Sequence, residues 1–218
     1  MKKEILSIFD QIPYFTIEAV NQVYGAERLA DGTIQTALYR WMKAGHIMQL
    51  KKGVYMTRSF YERHRSDLDF SPAISAILIP QSYISLEFVL QRHAILSEIT
   101  YPITAVTLKQ TRVIENKLGI FSYRNIRENL YTGFDFYEYQ GIPFSQASLP
   151  KALFDYLYLR PLSRVMFSSR FNLAEDLRLN LDEISEHDQN QFAEFVEVSK
   201  SSKMQRILKN LRNTIWQH

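Results

Sequence analysis

The chain has 218 residues, of which 46% are hydrophobic and 22% charged, and a formal net charge of +3. That is the balance of a globular protein with a sizeable core, and it excludes a disordered or low-complexity chain. The absence of cysteine excludes a disulfide framework and a thiolate zinc site.

Glu4 and Asp10 interrupt the apolar stretch after Met1-Lys2-Lys3, so no signal peptide is expected. The apolar run around Ala76–Pro80 is far short of the ~20 residues that span a bilayer. A cytoplasmic protein with no membrane partner is the expectation.

In chain order, Lys2–Gln11 carries Ile5, Ile8, Phe9 and Ile12 at helical spacing, and Pro13 ends that helix. Thr16 is suited to cap a second helix with Ile17, Val20 and Tyr24 inward and Gly25 as its stop. After a connection through Arg28 and Leu29, Asp31 or Thr33 can cap a third helix running to Ala44 and ending at Gly45.

On that third helix Ile34, Ala37, Leu38, Trp41 and Met42 share one arc at 100° per residue. Thr33, Gln35, Thr36, Tyr39, Arg40 and Lys43 fill the other, which offers hydrogen-bonding and cationic groups but no carboxylate. Such a face suits a major groove lined with acceptors and phosphates. His46–Leu50 and Val54–Thr57 then form a hairpin turned at Lys51-Lys52-Gly53, where Gly53 supplies the positive φ of a tight turn. Three helices followed by a lysine-tipped hairpin predict a winged helix-turn-helix.

Charge agrees with that assignment. Between Arg28 and Arg65, eight basic residues face Asp31 and Glu62 alone, so an anion is expected to dock there. The stretch from Glu175 to Glu197 is strongly acidic, and Lys200, Lys203, Arg206, Lys209 and Arg212 follow it.

Beyond Arg58–Phe70, read as a linker or connecting helix, Pro72–Ile79 predicts a short buried helix, and Ser85 is expected to cap another through Leu86, Val89 and Leu90. Short β-prone segments follow at Ile103–Leu108, Arg112–Ile114, Ile120–Arg124, Phe134–Tyr139 and Ile142–Phe144. Ser148 with Pro150 opens a helix to Tyr158. From Ser163 onward the pattern is helical, as an outer layer of the domain or a surface for a partner. The fold class is therefore α+β: an N-terminal winged helix-turn-helix over residues 1–60, a linker over 61–71, and a mixed α+β domain with a helical C-terminal layer over 72–218.

Tyr83-Ile84-Ser85-Leu86-Glu87, Ile103-Thr104-Ala105-Val106-Thr107, Gly119-Ile120-Phe121-Ser122-Tyr123 and Pro150-Lys151-Ala152-Leu153-Phe154-Asp155 occur in this order. Preceded by Lys52-Gly53-Val54-Tyr55, they resemble the AbiEi family of antitoxins and transcriptional regulators over roughly residues 1–160. The resemblance implies a type IV antitoxin that represses its own operon and counteracts a nucleotidyltransferase toxin functionally rather than by tight binding. Leu149 departs from the acidic or polar residue more common before the proline, and the acidic-then-basic tail lies outside the resemblance.

Other chemistry is weak in the sequence. Ser148-x-x-Lys151 lacks the companion motifs of a serine–lysine acyl enzyme and reads as a helix cap. Glu115-x-Lys117 has no carboxylate partner, and the five histidines have no metal-site spacing. The nucleotidyltransferase signature is absent, so the chain is expected to be the antitoxin and not the toxin. No enzyme activity, cofactor or metal is expected.

The expected partner is double-stranded DNA. Gln35, Thr36, Tyr39 and Arg40, with Thr33 beside them, would meet base edges, and Lys43, Lys51 and Lys52 would meet phosphates. Two alternatives stand beside this: a protein-interaction module in which the winged helix is structural, and a DNA-binding regulator with no toxin partner.

Overall fold

The computed structural model of the chain describes residues 2–24, 31–97, 102–161 and 172–216, and for 2–5, 24 and 31–33 the backbone alone. It is mixed α and β and divides into two compact units. The first comprises Met1–Pro80 with Glu115–Gly119 and Glu138–Phe144; the second comprises Gln81–Ile114, Ile120–Tyr137 and Ser145–His218. The division falls at Pro80, past the expected 61–71 linker, because the chain there folds into helices that belong to the first unit.

The first unit runs α1 (Lys2–Phe9), β1 (Phe15–Thr16), α2 (Ile17–Tyr24), α3 (Asp31–Lys43), β2 (Ile47–Lys51), β3 (Val54–Thr57), α4 (Arg58–His64) and α5 (Phe70–Leu78). Thr16 caps α2 as expected, its hydroxyl accepting from the Ala19 N–H at 3.3 Å. Where α3 ends, Gly45 (φ 74°) donates to Met42 O and His46 donates to Trp41 O, the paired bonds of a left-handed helix stop. Asp31 and Thr33, expected as caps, instead stand within the first turn of α3. Their side chains, and the expected Gly25 stop and Arg28–Leu29 connection, lie outside the described residues.

Ile8 and Ile12, expected inward, are exposed, because Phe9 takes the inward position beside Ile8 and stacks on Phe15 with ring centroids 4.3 Å apart. Around that stack Val20, Ile34, Leu38, Trp41, Ile47 and Tyr55 close one core. The three strands are antiparallel in the order β1-β3-β2, with Phe15 opposite Tyr55 and Ile47 opposite Thr57. A register shift between Gln49 and Lys51 breaks the alternation just before the turn. Arg58–Phe70 holds a true helix, α4, capped by Thr57, whose hydroxyl accepts from Phe60 N–H at 3.1 Å.

The second unit contains β4 (Ser82–Ile84), α6 (Glu87–Arg92), β5 (Ile103–Thr107), β6 (Arg112–Asn116), β7 (Gly119–Asn125), β8 (Phe134–Tyr139), β9 (Ile142–Ala147), α7 (Leu149–Leu159), α8 (Leu173–Asp176), α9 (Glu186–Ser199) and α10 (Ser202–Thr214), with the ends of β6, β7, β8 and β9 counted in the first unit. The sheet order is β6-β7-β5-β4-β9-β8. β4 runs antiparallel to β5 and parallel to β9, and β5 runs parallel to β7. Helix α7 is buried over most of its length, packed against α6 and α9, and α10 lies on α7, α8 and α9. Part of the helical stretch expected from Ser163, residues 163–171, falls outside the described residues.

Ser85 does not cap α6. Leu86 occupies the cap position without a side-chain bond, and Thr104 Oγ1 accepts from Phe88 N–H at 3.0 Å. The Ser85 hydroxyl is drawn instead to Asp155, 2.8 Å away on α7.

Candidate nucleic-acid interface

The stop at Gly45 fixes where α3 ends, and the burial of Ile34, Leu38 and Trp41 fixes which way it faces. Gln35, Thr36, Tyr39, Arg40 and Lys43 are consequently all exposed, with Tyr39 60% accessible. Of the expected site residues on this helix, Thr33 alone has a side chain outside the described residues.

Helix α3 packs against β2, which carries the lysine turn at its far end. The turn is held from below: Gly53 (φ 78°) accepts from Ile17 N–H at 3.3 Å through its carbonyl. The two lysines are not equivalent. Lys51 is half-buried, and its ammonium donates to the carbonyl of Ile77 in the last turn of α5. Lys52 is exposed. Lys51 thus has a partner within the fold, unlike the free ammonium expected beside phosphate, and the sequence carries no local sign of this because the acceptor lies 26 residues away.

The basic surplus of the segment is also reduced. Arg58 and Arg65 share Glu62 at 3.1 and 3.2 Å, and Arg63 donates to the Asp10 carbonyl. Arg40, Lys43 and Lys52 have no ion pair or side-chain hydrogen bond among the described residues. These three cations, two on α3 and one on the turn, are what α3 and the β2–β3 turn offer an anion among the described residues.

A second polar group, missed in the sequence, sits inside the second unit. Asp155 and Lys151 are both fully buried and paired one helical turn apart on α7, and Tyr83 Oη (2.9 Å) and Ser85 Oγ (2.8 Å) donate to the same carboxylate. The rings of Tyr83, Phe154 and Phe195 lie 5.2 to 5.6 Å from the ammonium. Burial pushes the Asp155 carboxyl up and the Lys151 amine down, each opposed by the other's charge. Burial, with the neighbouring carboxylate, also pushes the Tyr83 phenol far up. The i,i+4 spacing was visible in the sequence; the burial was not.

The chain matches no protein-family model and no curated protein. Among the described residues, no three His, Asp or Glu side chains converge as metal ligands, and no helix is long and apolar enough to cross a membrane.

Proposed function

We propose that this protein is a DNA-binding transcriptional regulator whose first unit is a winged helix-turn-helix, with α3 entering the major groove and the β2–β3 turn resting on the backbone. The element order α1-β1-α2-α3-β2-β3 and the strand order β1-β3-β2 support that assignment of the unit. The observation that carries the function is the outward face of α3: its described side chains are amide, hydroxyl, phenol, guanidinium and ammonium groups with no acid among them, and Arg40 and Lys43 are left uncommitted. Lys52 takes the backbone-positioning role.

Arg40→Ala tests the reading. Binding to the cognate operator is expected to weaken by about 1 to 3 kcal/mol, with relaxed specificity at one base pair. An unchanged footprint and affinity overturn the assignment of α3 as the reading helix.

The likeness of the Tyr83–Glu87 and Pro150–Asp155 segments to AbiEi proteins supports a further step: an antitoxin of type IV that represses its own operon and counteracts a nucleotidyltransferase toxin. Co-expression with a nucleotidyltransferase encoded beside it tests this. Growth restored by the wild-type chain supports the antitoxin role, and unrelieved toxicity leaves a regulator alone.

A further inference from the structure

Helix α10 is more one-sided than α7 or α9. Ser201 caps it, its hydroxyl accepting from Met204 N–H at 3.4 Å, and Met204, Ile207 and Leu211 are buried. Lys203 is consumed in the fold: its ammonium donates to the carbonyls of Tyr158 and Arg160, both at 2.8 Å, capping the end of α7. Everything turned outward is polar. Gln205, Arg206, Lys209, Arg212 and Asn213 are exposed, and from Lys200 to the last residue the chain has no carboxylate side chain.

Lys209 and Arg212 have no ion pair or side-chain hydrogen bond among the described residues. The helices packed against α10 do carry exposed acids, Glu175 and Asp176 on α8 and Glu194 and Glu197 on α9, and none is paired with Lys209 or Arg212. Lys209 and Arg212 are therefore the two cations of this face left open to an anion from outside.

We propose that the outward face of α10 is a second contact for duplex DNA, gripping the sugar-phosphate backbone through Lys209 and Arg212. Three observations select this occupant. An acidic protein partner would need an apolar or aromatic centre to its interface, and the exposed face of α10 has none. Single-stranded nucleic acid is held by base stacking on aromatic side chains, and none is exposed on this helix either. The rise from Lys209 to Arg212 is about 4.5 Å, comparable to the axial spacing of about 3.4 Å between neighbouring phosphates of one strand. The contact is sequence-independent, and it does not depend on the winged-helix reading of the first unit, since every residue in it belongs to the second.

The test is a set of salt titrations of the full chain against a random-sequence duplex, followed by fluorescence anisotropy. Lys209→Ala with Arg212→Ala is expected to lower the slope of log K against log salt by roughly two. The charge-preserving pair Lys209→Arg with Arg212→Lys is expected to keep the wild-type slope, which separates charge from folding. In a chain already carrying Arg40→Ala, Lys43→Ala and Lys52→Ala, duplex binding is expected to persist and then to vanish when the α10 alanines are added.

An unchanged slope in both backgrounds overturns the proposal. So does loss of binding to polyglutamate with duplex binding intact, which assigns the face to an acidic protein, and so does equal affinity for a single strand of the same length. A failed Arg40→Ala footprint bears only on the first unit, so the two readings fail separately.

Discussion

A lysine on a β-turn can leave its charge in solvent or spend it on a buried carbonyl, and the two lysines before Gly53 divide these uses. Lys51→Ala removes the bond to the Ile77 carbonyl and is expected to cost about 1 kcal/mol of stability while leaving the salt dependence of duplex binding unchanged. Lys52→Ala is expected to leave stability alone and reduce the salt slope by roughly one. Urea unfolding and anisotropy titrations separate the two, and a reversed pattern would return Lys51 to the binding surface.

The outward set on α3 was legible at this scale because helical periodicity decides it within a few residues: Gln35, Thr36, Tyr39, Arg40 and Lys43 all stand where the spacing puts them. Lys51 was not legible, since its fate is set by Ile77 on a helix that no local pattern connects to it.

Between elements, the Lys151–Asp155 pair with Tyr83 and Ser85 ties β4 to α7 through one buried carboxylate. Lys151→Met leaves that carboxylate without its cation and is expected to destabilise the protein by about 3 to 5 kcal/mol near neutral pH. Burial already raises the Asp155 pKa above its ordinary 3.8, and losing the cation raises it further. The folded variant then binds a proton that the unfolded chain releases, so its deficit shrinks as pH falls through the folded value and grows as pH rises. Urea unfolding of wild type and variant at acid and neutral pH measures it, and a deficit independent of pH sinks the account.

The same four residues explain why Ser85 was expected to cap α6 and does not: its partner is 70 residues away. Strand β1, only Phe15 and Thr16, is too short to leave a period in the sequence and exists because β3 pairs with it.

At the scale of the whole chain, sequence cues placed a linker at 61–71, where Ser66-Asp67 looks like a break. The chain there is held by contacts from far downstream. Tyr139 donates its hydroxyl to Asp67, and its ring meets His64 and Phe70 edge-on. Asn116 donates to the Leu50 carbonyl at 3.2 Å, on the strand that leads into the lysine turn.

Cutting the chain after Pro80 removes both Glu115–Gly119 and Glu138–Phe144 from the unit they belong to. The fragment is expected to melt below the same unit in the full chain and to lose amide-exchange protection in α4 and α5. Equal protection in the two would show that the downstream segments contribute nothing.

That discontinuity also orders events during synthesis. A nascent chain presents α1 to α5 well before residues 115–119 and 138–144 leave the ribosome, so the first unit to begin is not finished until Phe144 has emerged. Ribosomes halted between Pro80 and Phe144 would display an N-terminal half still open to proteases, and protection would arrive only when the last of its own pieces emerged.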